Sequence, residues 1–111
     1  MAPPATNGSL EGEPFALGEL LAYQEGAVVS RTVVDEEAGT VTAFAFDGDE
    51  RLTAHTAPHR AVLQVLDGTA AVTVADERHE VSAGEAVLLP ADVPHAVDAV
   101  TRFKMLLTML R

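Results

Sequence analysis

The stretch Gly84-Glu85-Ala86-Val87-Leu88-Leu89-Pro90-Ala91-Asp92-Val93-Pro94-His95 decides the fold. A glycine opens a short apolar strand, a proline closes it, and a histidine follows a second tight turn. Well upstream a further histidine, His55, stands in Leu52-Thr53-Ala54-His55-Thr56-Ala57-Pro58-His59. Two histidines on separate strands of a small β domain are the usual makings of a metal or ligand pocket.

Working outward, the same punctuation recurs. Apolar or β-branched runs at 27–34, 40–46, 51–55, 60–66, 69–75, 79–81, 86–89, 95–100 and 103–110 predict short strands. They are separated by Asp47-Gly48-Asp49, Pro58, Asp67-Gly68, residues 75–78, Gly84 and the Pro90 to Pro94 turn. Strands at this spacing, with no long helical period, predict an all-β sandwich or barrel. Residues 1–14 carry Pro, Gly and Ser and are expected to form a loose tail, leaving 15–111 as one domain. Residues 15–23 are expected to form a short helix or an irregular segment, with Phe15, Leu17, Leu20 and Leu21 facing the body. Strand 103–110 is almost continuously apolar. It must be buried or lie against a second subunit, because an exposed edge of that kind would aggregate.

Composition excludes several function classes. There is no cysteine among the 111 residues, which removes disulfides, thiolate metal sites and a cysteine nucleophile. A net charge of −10 with Lys104 as the single lysine argues against nucleic acid and anionic membrane surfaces as partners. No apolar run is long enough for a transmembrane helix, and the N-terminus lacks the pattern of a signal peptide, so a cytoplasmic location is expected. None of Ser9, Ser30 and Ser82 lies in a nucleophile-elbow pattern, and no glycine-rich phosphate loop is present.

Gly84-x5-Pro90-x-Asp92-x2-His95 resembles the second cupin motif, G-x5-P-x-G-x2-H-x3-N, with Asp92 at a family glycine and Ala99 at its asparagine. Residues 49–68, ending in Val65-Leu66-Asp67-Gly68, resemble the first motif, G-x5-H-x-H-x3,4-E-x6-G. The chain is therefore identified as similar to small single-domain cupins of the RmlC-like kind. That resemblance implies a β-barrel or double-stranded jelly roll, a small-molecule ligand and a homodimer. It also implies a divalent metal such as Zn, Ni, Fe, Mn or Cu.

Carried over residue by residue, the family's ligand positions fall on His55, Ala57, Ala61 and His95. Two of four are kept. A catalytic zinc site needs three protein ligands, and an open iron site two histidines and a carboxylate. His59 lies four residues after His55 and shares its face if the strand is regular, so it is the candidate replacement; alternatively it is a rim residue beside Pro58. His55 and His95 are either metal ligands or metal-free pocket residues. Gln64 is expected on the face opposite Ala61, and His79 in a solvated hairpin turn. Phe44, Phe46, Leu63, Val65, Val97, Leu107 and Met109 are candidates for an apolar pocket lining. Three functions stay open: a small-molecule-binding cupin with a degenerate metal site, a metal-dependent dioxygenase- or isomerase-type enzyme, and a structural or sensing dimer with a vestigial pocket.

Overall fold

The computed structural model describes residues 10–111. Their alternating apolar runs form nine strands: β1 Val28–Glu36, β2 Gly39–Phe46, β3 Arg51–His55, β4 Ala61–Asp67, β5 Thr69–Val74, β6 Glu77–Ser82, β7 Ala86–Leu89, β8 His95–Ala99 and β9 Phe103–Leu110. They build two antiparallel sheets, ordered β1-β2-β9-β4-β7 and β3-β8-β5-β6. This is a jelly-roll barrel, as the strand spacing predicts.

The inner faces meet in one core. Phe46, Leu63, Val65, Leu89, Phe103 and Met105 of the first sheet pack with Ala70, Val72, Val81 and Val97 of the second. The Phe46 and Phe103 rings are direct cross-strand partners and stack at 4.4 Å. Both are fully buried, and each contributes about 2–3 kcal/mol by burial. Of the residues expected to line a pocket, Phe46, Leu63, Val65 and Val97 are buried core. Phe44, Leu107 and Met109 are half-buried against it.

β9 lies in the middle of its sheet rather than at an edge. Its odd-numbered residues face the barrel, and Leu106 faces outward into a second cluster with Leu20 and Ala43. Leu10, Leu21, Val33, Val41 and Leu66 flank that cluster. The segment before β1 thus covers part of β9's outer side, so of the two expected alternatives, burial or a second subunit, burial within the chain accounts for much of this strand. Leu10 already packs against this cluster, ahead of the expected boundary at residue 15, while residues 1–9 of the expected tail lie outside the described residues. The expected short helix is one 3-10 turn, Leu17–Glu19. Leu20 and Leu21 face the body as expected. Phe15 and Leu17 do not: each is 41% exposed.

Polar contacts hold this strap in place. The Tyr23 hydroxyl donates to the Asp67 carboxylate. The Arg102 guanidinium and Lys104 ammonium lie 4.4 and 4.9 Å from the Tyr23 ring centre. Lys104 also donates to the Gly18 carbonyl at 2.6 Å. Burial and the neighbouring Asp67 carboxylate push the Tyr23 hydroxyl well above the ordinary tyrosine range. The chain's one lysine is therefore a strap anchor.

Candidate functional site

The site starts from a departure in strand register. Leu52 of β3 pairs with Val97 of β8, and His55 pairs with His95. Three steps along β3 match two along β8, so one extra residue is accommodated between Leu52 and His55. Directly opposed residues share a face. Strict alternation from inward Leu52 would turn His55 outward; the bulge turns it to the face that carries His95. The two imidazole rings meet edge to face, with centres 4.5 Å apart and planes at 71°.

The turn before β8 fixes the second ring. Asp92 adopts φ 63°. This left-handed conformation favours glycine, and aspartate is among the few other residues that accept it. The replacement of the family glycine by Asp92 therefore keeps the turn. The Asp92 N–H donates to the Ala57 carbonyl at 2.8 Å, tying this turn to the loop after His55.

Each ring is anchored in the same way. His55 Nδ1 lies 3.2 Å from the Thr53 carbonyl, and His95 Nδ1 lies 3.2 Å from the Val93 carbonyl. A carbonyl only accepts, so Nδ1 carries the proton in both rings and Nε2 of a neutral ring keeps its lone pair. His95 is 8% exposed and is the one buried polar or charged residue among the described residues. Burial, and then the neighbouring His55, hold its pKa below the ordinary histidine value; the contact with Val93 opposes them. The pair is an acceptor-rich polar corner beside an apolar barrel. Its inner-face neighbours include Leu52 and Val97, with Val74 directly opposite His95.

The remaining candidates fall elsewhere. His59 is half-buried in the bend between β3 and β4. Among the described residues no three His, Cys, Asp or Glu side chains gather into a group able to hold a metal ion, so His59 does not complete a cluster with the pair. Ala61 is buried in the barrel core, where a methyl replaces the family carboxylate. Gln64 is exposed on the opposite face of β4, as alternation predicts. His79 lies within β6 rather than in the turn, because the hairpin loop contains only Ala75 and Asp76. It is half exposed, 3.7 Å from Glu77, and borders a cleft with Val81, Ala86 and Val87 between the β6 and β7 edges. Sequence reading missed the β3 bulge. Its one trace is the odd spacing from Leu52 to His55 against the even spacing from His95 to Val97.

The two-sheet barrel with a histidine pair on paired strands is that of a cupin. The cupin domain model matches residues 44–109, more than half of the chain, and the protein belongs to that family. The fold matches a conserved Streptococcus pyogenes protein of unknown function at 28% identity and a TM-score of 0.89, covering 95% of this chain and 92% of that one. It matches a cupin 2 conserved barrel domain protein from Leptotrichia buccalis at 39% identity and a TM-score of 0.85. That alignment covers 87% of this chain and 47% of the Leptotrichia protein, so this chain spans about half of it. Salicylate 1,2-dioxygenase from Pseudoaminobacter salicylatoxidans, solved in complex with gentisate, matches at 17% identity and a TM-score of 0.69, over 74% of this chain and 24% of that one. This last likeness is one of fold. No curated protein matches the chain significantly.

Proposed function

We propose that the protein is a small-molecule-binding cupin whose recognition corner is the His55–His95 pair. One observation carries this reading: two cross-strand imidazoles in contact, each oriented through Nδ1 by the carbonyl two residues before it. The oriented rings offer Nε2 lone pairs to a ligand's hydroxyl or amine proton, and the half-buried Leu52 and Val74 beside them offer apolar surface to its body.

The donor set does not fit a resident catalytic metal. Two imidazoles are one ligand short of the three that such a zinc site uses, and Ala57 and Ala61 bring no donor. A second reading is an exchangeable divalent metal on His55 and His95, with His59 drawn in from its loop. The ring anchoring favours it, since metal-binding histidines typically donate their other nitrogen to a carbonyl or carboxylate. Neither reading assigns a reaction. Ligand binding is also what separates this protein from a structural dimer with a vestigial pocket.

The test is imidazole NMR on protein prepared without a histidine tag. A library of small hydroxylated and amino compounds, and separately zinc chloride, is titrated while the four histidines are followed. The proposal expects His55 and His95 to respond together, with His79 unmoved, and the response to vanish in His95→Leu. Compounds that bind without moving this pair would sink it. A saturable response to zinc alone selects the metal reading.

A further inference from the structure

The row of residues that faces the histidine pair follows from the strand ends. β3 ends at His55 and β4 begins at Ala61, while β7 ends at Leu89 and β8 begins at His95. Both connections cross from one sheet to the other at the same end of the barrel, where the Asp92 N–H, bonded to the Ala57 carbonyl, joins them. At that end the five-stranded sheet carries one continuous row. Leu89 pairs with Ala61, Ala61 with Met109, and Met109 with Thr40. Leu89 and Ala61 lie in the inner core, and Met109 packs against it half-buried. Ala61 brings only a methyl to this row. Met109 brings a thioether, and its Cβ stands about 5 Å from that of Ala61, as for any directly opposed cross-strand pair.

We propose that Met109 is the third donor of a Cu(I) site, with Nε2 of His55 and Nε2 of His95 as the other two. This ligand set rests on the reading of the pair as a binding site, and gives the metal form of that reading its missing ligand and its ion. Position supports it first. Facing sheets lie about 10 Å apart, a gap that an imidazole from one sheet and a thioether from the other span together. The unbranched methionine side chain, with three rotatable bonds, adapts to such a contact. Ring orientation supports it next: both Nδ1 atoms are held by backbone carbonyls, which leaves Nε2 as the free donor on each ring.

The donor chemistry selects the ion. A thioether is a soft, neutral ligand that favours Cu(I), whereas carboxylates suit harder ions and zinc sites draw on Cys, His, Asp and Glu. The chain has no cysteine, so no thiolate of its own competes for a soft ion. All three donors are uncharged and stand beside apolar Leu52, Val74 and Leu107. In such surroundings a single positive charge costs less to bury than a double one. The net charge of −10 draws a cation toward the barrel. Met105 does not share this role. It pairs with Phe44 and Val65, further along the barrel from the histidine end, and is 1% exposed.

Methyl and imidazole NMR of the whole, untagged chain tests the site. Cu(I), supplied anaerobically as its acetonitrile complex, and separately zinc chloride are titrated into protein labelled at the methionine methyls. With Cu(I), the His55 and His95 rings and the Met109 methyl are expected to shift together in one saturable step, with Met105 unmoved. Met109→Leu conserves volume and apolarity. It should weaken Cu(I), measured against a competing chelator, by roughly tenfold or more while changing zinc by less than about threefold. Cu(I) that moves the histidines without the Met109 methyl, or binds Met109→Leu as tightly as wild type, overturns the assignment and leaves the pair as a site. His59 moving in place of Met109 does the same. No response of either ring to Cu(I) or zinc overturns the assignment and the metal reading together. The methyl signal of the unaltered protein gives the answer even where Met109→Leu fails to fold.

Discussion

Tyr23→Leu removes the clamp that holds the strap over Leu106. Three contacts are lost: the hydroxyl donated to Asp67 and the cations of Arg102 and Lys104 beside the ring. A hydrogen bond to a carboxylate contributes about 1.5 kcal/mol at such a position. Two exposed cation–π contacts add about 0.5–1 kcal/mol each. The expected loss is about 2.5–3.5 kcal/mol, which lowers the melting midpoint of a domain of this size by roughly 10–15 °C. Tyr23→Phe keeps the ring and loses only the hydrogen bond, so its cost is about 1–1.5 kcal/mol. Thermal and urea unfolding of both variants separate the two parts. In an Asp67→Ala background the Tyr23→Phe cost should nearly disappear. If Tyr23→Leu costs less than about 0.5 kcal/mol, or equals Tyr23→Phe, the cation contacts carry no stability and the clamp reasoning fails.

Three further outcomes are expected. Gly68 adopts φ +75°, and a Cβ there would lie on the Arg102 carbonyl oxygen at the β4–β5 junction. Gly68→Ala should cost about 3 kcal/mol or more in urea unfolding, and a loss under about 1 kcal/mol contradicts the turn geometry. Asp92→Gly should stay within about 0.5 kcal/mol of the wild type while Asp92→Val loses about 1–2 kcal/mol; equal stability of the two would show that this turn does not need its left-handed residue. His95 is held below the ordinary histidine value of 6.5, so an unfolded chain binds a proton there that the folded chain resists. The stability from neutral His95 is full above 6.5 and is lost as pH falls through that value toward the folded pKa. Urea midpoints should fall with acid more steeply in the wild type than in His95→Leu, and parallel slopes would remove the burial argument.

The barrel was legible because its signals are local. Most strands are bounded by a turn residue whose backbone role is written in the sequence, as at Gly68, Gly84 and Pro90; the Val100 to Arg102 connection between β8 and β9 is an exception. Motif spacing likewise singles out His55 and His95, whose rings the fold brings into contact. What escaped was whatever depends on pairing between distant strands. The β3 bulge is a relation between Leu52–His55 and His95–Val97, and neither strand shows it alone. The central place of β9 could not be read from its apolar run, since a buried middle strand and a covered edge strand have the same composition. Phe15 and Leu17 were expected to face the body with Leu20 and Leu21. One 3-10 turn shifts the chain so that only the second pair does.

The central claim is that His55 and His95 together hold a ligand. Its most direct measurement is a crystal structure, with anomalous data, of untagged protein incubated with the compound that best perturbs the pair by NMR, or with zinc chloride. The account predicts density within hydrogen-bonding or coordination distance of Nε2 on both rings, with each Nδ1 still on its backbone carbonyl. Density elsewhere, with the two rings contacting only each other and water, would contradict it.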